Sequence, residues 1–226
     1  MLGIRRVTRA LTMATMVAVA ALAGYAVVPP AGPHSLREFD ADRMASLELR
    51  MWQAYYAKQQ TRLFGLLVTT LHEQYHYSWA MATLAGFHLA RAATTFADAT
   101  GNDAAILRDL DAAYGSAKSW LHAGFDPQAV ARAELDWWTA RRTPGRNSTV
   151  QVAGLMADEY ALLYETSRDR VVRAALLRAE AAALRDATPE QPDWETIGAL
   201  LRRSYRELAM ALSRVNAGGS LHPAIA

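Results

Sequence analysis

His72-Glu73-Gln74-Tyr75-His76 sets two imidazoles four residues apart, with a carboxylate beside the first. On a helix that spacing is about one turn, so His72 and His76 would project from one face and could hold a zinc ion. Glu73 would act as general base on the bound water, the chemistry of a zinc hydrolase. A third ligand is then required. Trp79 and Ala82 stand where a glycine and a third histidine would complete the longer form of the motif. Glu134 or Glu159, distant in sequence, would have to serve instead.

The same glutamate belongs to a second pattern. Glu48 and Glu73 lie 25 residues apart on either side of a polar turn at 58–62, and Glu134 and Glu159 lie 25 apart around a turn at 143–148. Each glutamate is about a dozen residues from its turn, or about 18 Å of helix, so each pair should share one height in an antiparallel hairpin. Two such hairpins packed together would gather four carboxylates. This geometry resembles the ferritin-like di-metal carboxylate proteins, in which two helices give one Glu each and two give Glu-x-x-His. The resemblance covers about 35–100 and 127–187 and implies a metal-binding protein or an oxidoreductase using Glu48, Glu73, His76, Glu134 and Glu159. The second copy departs from it, because Glu159-Tyr160-Ala161-Leu162 has a leucine in the histidine place.

A plainer reading gives these glutamates a structural task. Buried carboxylates need partners, and the arginines supply them, for instance Arg142 for Glu134. Trp52 and Trp138 would then be core anchors one turn further on. Trp137-Trp138 with Arg141-Arg142 could form a cation–π cluster and a ligand-binding face. His34, His88, His122 and His222 are isolated and read as surface or loop residues. No glycine-rich phosphate loop and no Gly-x-Ser-x-Gly elbow occurs.

The elements that would position these groups are helices. Ser35-Leu36-Arg37-Glu38 reads as a capping box, Asp126-Pro127 as a cap followed by a first-turn proline, and Thr188-Pro189 or Asp193 as the start of a last helix. Breakers fall at Gly101-Asn102, Gly124 and Thr143-Pro144-Gly145, and no alternating run bounded by turn residues suggests a strand.

The halves also match. Glu48, Leu49, Trp52 and Ala54 recur in register as Glu134, Leu135, Trp138 and Ala140, 86 residues on. At that offset Glu73 falls on Glu159. Leu89 and Phe96–Thr100 fall on Leu177 and Leu184–Thr188 at 88, and Leu110, Tyr114 and Leu121 on Leu201, Tyr205 and Leu212 at 91. Growing offsets imply insertions in connections. The reading is an all-α helical bundle made by duplication of a three-helix unit, with helices at 35–59, 62–99 and 103–122, then 127–142, 149–187 and 193–215. Repeat 1 spans about 35–123 and repeat 2 about 126–216, within a single domain at 35–226.

Composition narrows the functions. Charged residues make up 20% of the 226 and the net charge is +2, more than all of it carried by Arg5, Arg6 and Arg9. The folded part is therefore near neutral, which argues against a nucleic-acid partner. With no cysteine there is no disulfide, thiolate metal site or cysteine nucleophile. The three arginines precede an apolar run at 11–28, so residues 1–34 read as a transmembrane or signal segment that leaves the folded domain extracytoplasmic. The membrane is thus one expected partner, with secretion after cleavage as the alternative. The expected function is a binding or scaffold module without a cofactor. Iron or manganese would accompany the carboxylate reading and zinc the reading on His72, Glu73 and His76. Enzymatic status and the protein or small-molecule partner are left open.

Overall fold

The computed structural model describes Thr15, residues 24–98 and residues 101–218, with side chains through Ser213. The described chain is all-helical, without strands. Most of the apolar segment at 11–28 lies outside the described residues. Among those described, no helix is long and apolar enough to cross a membrane.

Among the described residues eight helices follow Asp40: α1 (Ala41–Tyr56), α2 (Gln60–Tyr75), α3 (Trp79–Ala97), α4 (Asp103–Leu121), α5 (Pro127–Arg142), α6 (Thr149–Leu163), α7 (Arg168–Ala187) and α8 (Trp194–Gly218). Two expected long helices, 62–99 and 149–187, are each broken into two. The first breaks at His76, left-handed at φ 56°, and Ser78 caps the next helix by accepting from the Met81 N–H. The second breaks at Glu165, left-handed at φ 48°, with Ser167 at the next N-cap. A side chain in the left-handed region cannot continue a right-handed helix, and serine after it starts a new one. The apolar periodicity runs straight through both breaks, so only the local cap signals mark them.

The first helix begins later than the Ser35 capping box suggests. Ser35 instead closes a turn by accepting from the Arg37 N–H, and Asp40 caps α1 by accepting from the N–H groups of Asp42 and Arg43. Asp126 and Asp193 cap α5 and α8 as their residue types indicate.

Connections of three to six residues turn each helix back on its predecessor. Successive helices pack in pairs along the whole series, and α8 returns to pack on α1. The helices therefore close a ring. Leu47, Leu110, Met156, Ile197, Leu201 and Leu208 are fully buried within it. The segment before α1 lies across one end. Arg37 donates to the carbonyls of Tyr164 and Glu165 at 2.8 and 3.0 Å, and His34 packs on Trp120 with ring centroids 4.1 Å apart.

Candidate functional site

The middle of the ring encloses a cavity of about 550 Å³. The C-terminal halves of α1, α3, α5 and α7 provide most of its wall, because those four helices end on the same side of the ring. Its floor holds Glu48, Glu134, Arg178 and Tyr205. Its walls are apolar, with Trp52, Trp137, Trp138, Leu67 and Leu89. Its mouth holds Tyr55, Tyr56, Arg141, Arg142, Arg185 and Asp186.

On the floor, Arg178 grips Glu48 through Nε and an NH2 nitrogen at 2.8 and 2.7 Å. The guanidinium also lies 5.0 Å from the Trp137 ring centroid. Glu48 is 3% exposed, and among the described residues its Oε2 meets no donor within hydrogen-bond geometry, with the side chain of Tyr205 beside the carboxylate. Glu134 accepts from the Tyr114 hydroxyl at 2.7 Å, and behind it the buried Glu159 accepts from Trp137 Nε1 at 2.6 Å. Three carboxylates thus share one guanidinium. Desolvation, followed by the charge of Glu134, pushes Glu159 up to about 8. Desolvation raises Glu134 as well, against the Tyr114 hydrogen bond. Buried tyrosines complete the surroundings: burial and the nearby Glu48 hold Tyr160 and Tyr205 protonated well above the ordinary phenol range.

At the mouth, two helix ends are tied together. Arg141 donates to the Tyr56 hydroxyl and to Asp186 at 3.0 and 2.8 Å, while Arg142 donates to the Tyr55 hydroxyl at 2.8 Å and to the Phe96 carbonyl. Arg142 stacks 3.9 Å over Phe96 and Arg185 3.3 Å over Tyr56. The Nε groups of Arg141 and Arg185 are buried and have no acceptor among the described residues.

No known protein family, curated protein or solved structure matches this chain.

The residues singled out for chemistry scatter. Glu48, Glu134 and Glu159 do converge on the ring's interior. Glu73 does not: it is exposed and pairs with Arg43 on α1 at 2.8 and 3.0 Å. One turn earlier on α2, Thr70 is the buried residue, whereas Glu73 sits near the end of the helix, where Arg43 reaches it.

His72 and His76 do not present one helical face, because His76 occupies the left-handed cap position that ends α2. The His72 ring shares a hydrogen bond with the Tyr77 carbonyl at 2.7 Å and stacks on Trp79. The His76 ring lies against Gly32. Among the described residues no three His, Asp or Glu side chains gather as a metal site.

One expectation on the histidines also changes. His88 is not an isolated surface residue but faces the buried Asp109 at 2.8 Å, which Arg91 also binds. His222 lies outside the described residues.

Sequence reasoning missed Arg178 and Arg185 as site residues. Within an arginine-rich helix nothing but their seven-residue spacing, two turns on one face, sets them apart from Arg168, Arg170 and Arg173.

Proposed function

We propose that this chain is a membrane-tethered or exported helical module that binds a small organic molecule at the centre of its ring. The observation that carries the reading is the cavity itself. Its size falls among small-molecule sites, and its wall is apolar with a few polar groups fixed in place. Helices α1, α5, α7 and α8 hold those groups, which suits a preorganised site. The placement across or at a membrane rests on Arg5, Arg6 and Arg9 ahead of the apolar run.

Trp52, Trp137 and Trp138 line the cavity, so a bound apolar molecule should quench or shift their emission and raise the melting temperature in a concentration-dependent way. A chain whose emission and melting point ignore a broad panel of apolar compounds would defeat this reading. For topology, protease added outside intact cells should digest the domain from residue 35 onward, and complete protection there would contradict the placement.

We also propose that the ring arose by doubling a four-helix unit, α1–α4 and α5–α8, in place of the three-helix unit that periodicity suggests. Contacts between the halves support it, because they come in crossed pairs of the kind an isologous interface makes. Tyr55 meets Arg142 while Tyr56 meets Arg141, residues 86 apart exchanging roles. Phe96 lies under Arg142 while Tyr56 lies under Arg185. Tyr114 bonds Glu134 while Tyr205 lies beside Glu48. The left-handed His76 and Glu165, and the caps Ser78 and Ser167, stand 89 apart. The fragment 35–123 should then pair with a second copy of itself, because its inner face is built to be covered by its equivalent. Sedimentation of a folded monomer would count against this.

A further inference from the structure

The cavity's two walls carry opposite chemistry at corresponding positions. Tyr55 and Tyr56 face it from α1, and 86 residues on stand Arg141 and Arg142 of α5. Leu89 and Phe96 face it from α3, and 89 residues on stand Arg178 and Arg185 of α7. All four arginines of the lining therefore sit on the α5–α7 wall, opposite aromatic and aliphatic groups. The pairs Glu48 with Glu134 and Trp52 with Trp138 keep their type, so the difference lies in the arginines.

Their partners do not use up this charge. Arg178 is matched by Glu48. At the mouth, however, Arg141, Arg142 and Arg185 have one carboxylate among the described residues: Asp186 lies 2.8 Å from Arg141 and 3.5 Å from Arg185. Among the described residues Arg142 meets neutral acceptors only, a phenol and a carbonyl. A buried guanidinium N–H without an acceptor is costly, and Arg141 and Arg185 each keep one. Stacking on Phe96 and Tyr56 holds two of the three planes in position, so an arriving oxyanion would meet preordered donors.

From this we infer that the cavity takes an amphipathic organic anion, its carboxylate- or sulfonate-like head at Arg141, Arg142 and Arg185 and its apolar body between Trp52 and Trp138. A hydroxyl at the inner end would find an acceptor in Glu48 Oε2. The inference rests on the binding reading above and narrows it. The rival occupant, an organic cation drawn to Glu48 and Glu134, is disfavoured because four arginines line the cavity against three carboxylates, Glu48, Glu134 and Asp186, and three of those arginines stand at the mouth.

Three probes of one shape decide between them: naphthalene-2-sulfonate, its alcohol counterpart naphthalene-2-methanol, and the cation 2-naphthylmethylammonium, each titrated against the full chain by tryptophan emission. The sulfonate should bind about tenfold tighter than the cation, with the alcohol between. Arg142→Gln and Arg185→Gln should each weaken the sulfonate about tenfold and leave the alcohol within about twofold. Arg142→Gln removes a side chain that has no carboxylate partner, so it is the variant expected to fold normally. In the unaltered chain, raising salt from about 50 to about 500 mM should weaken the sulfonate and spare the alcohol, a check that needs no variant. A cation that binds tightest, or a sulfonate indifferent to both arginines and to salt, overturns the inference while the binding reading stands. If no probe of the three binds, the inference falls, and the broad panel of apolar compounds decides the binding reading separately.

Discussion

Arg178 on α7 holds Glu48 on α1 across 130 residues of chain, at 2.7–2.8 Å on the cavity floor, with side chains 16% and 4% exposed. Such a pair gains little over a well-packed apolar substitute, but breaking it strands a buried charge. We expect Glu48→Gln and Arg178→Met each to cost about 3–5 kcal/mol. The double variant should cost markedly less than the sum. A double-mutant cycle by urea unfolding measures this; simple additivity would show that the two groups do not act as a pair.

Glu73 with Arg43 gives the opposite case. The geometry is as good, with bidentate bonds at 2.8 and 3.0 Å, but both side chains are 38% exposed. Solvent screens such a pair, and Glu73→Gln should cost under about 1 kcal/mol. A loss on the scale of Glu48→Gln would return Glu73 to the interior.

Comparing these glutamates shows what the sequence discloses. Residue type and helical spacing were enough to mark Glu48, Glu134 and Glu159 as inward, and Asp126-Pro127 and Asp193 as helix starts. They misplaced Glu73 because equal height along a hairpin does not set how deep a side chain lies: near the end of α2 Glu73 meets Arg43 in solvent, while Thr70 one turn earlier is buried. The breaks at His76 and Glu165 were hidden for a related reason. Their left-handed conformation is imposed by how α3 and α7 fold back, and neither residue is a glycine or asparagine that would announce it. The cavity's charge asymmetry was present in the sequence, but only an alignment at 89 residues sets Arg178 opposite Leu89 and Arg185 opposite Phe96.

Gly32 offers a test of how the segment before α1 is seated. A Cβ there would lie 2.0 Å from His76 Nε2, far inside contact distance. Gly32→Ala should therefore lift the segment from the end of the ring, costing about 1–3 kcal/mol. Limited proteolysis around residues 29–40 should accelerate. His76→Ala, which removes the obstructing ring, should restore protection in the double variant. Unchanged proteolysis of Gly32→Ala would mean that the ring simply swings aside.

The buried carboxyl of Glu159 should make the fold less stable as pH rises. Its pKa stands near 8 in the folded chain, against an ordinary 4.5, because burial and then the charge of Glu134 oppose ionisation. Between those values the folded chain holds a proton that the unfolded chain has released. The stabilisation is therefore complete below about pH 4.5 and is lost as pH climbs through about 8, at no more than about 1.4 kcal/mol per unit for one proton. Glu134 and Glu159 face each other beside Glu48, Arg178, Tyr114, Tyr160 and Tyr164, so the loss belongs to the carboxyl pair as a unit. Glu159→Gln keeps an acceptor for Trp137 Nε1, now at 2.6 Å from the carboxyl, and removes the titration. Urea unfolding at pH 5, 7 and 9 should show a falling stability for the native chain and a flatter profile for Glu159→Gln, with the variant ahead at pH 9. A native profile that rises from pH 5 to pH 9 would mean that Glu159 ionises freely in the folded ring.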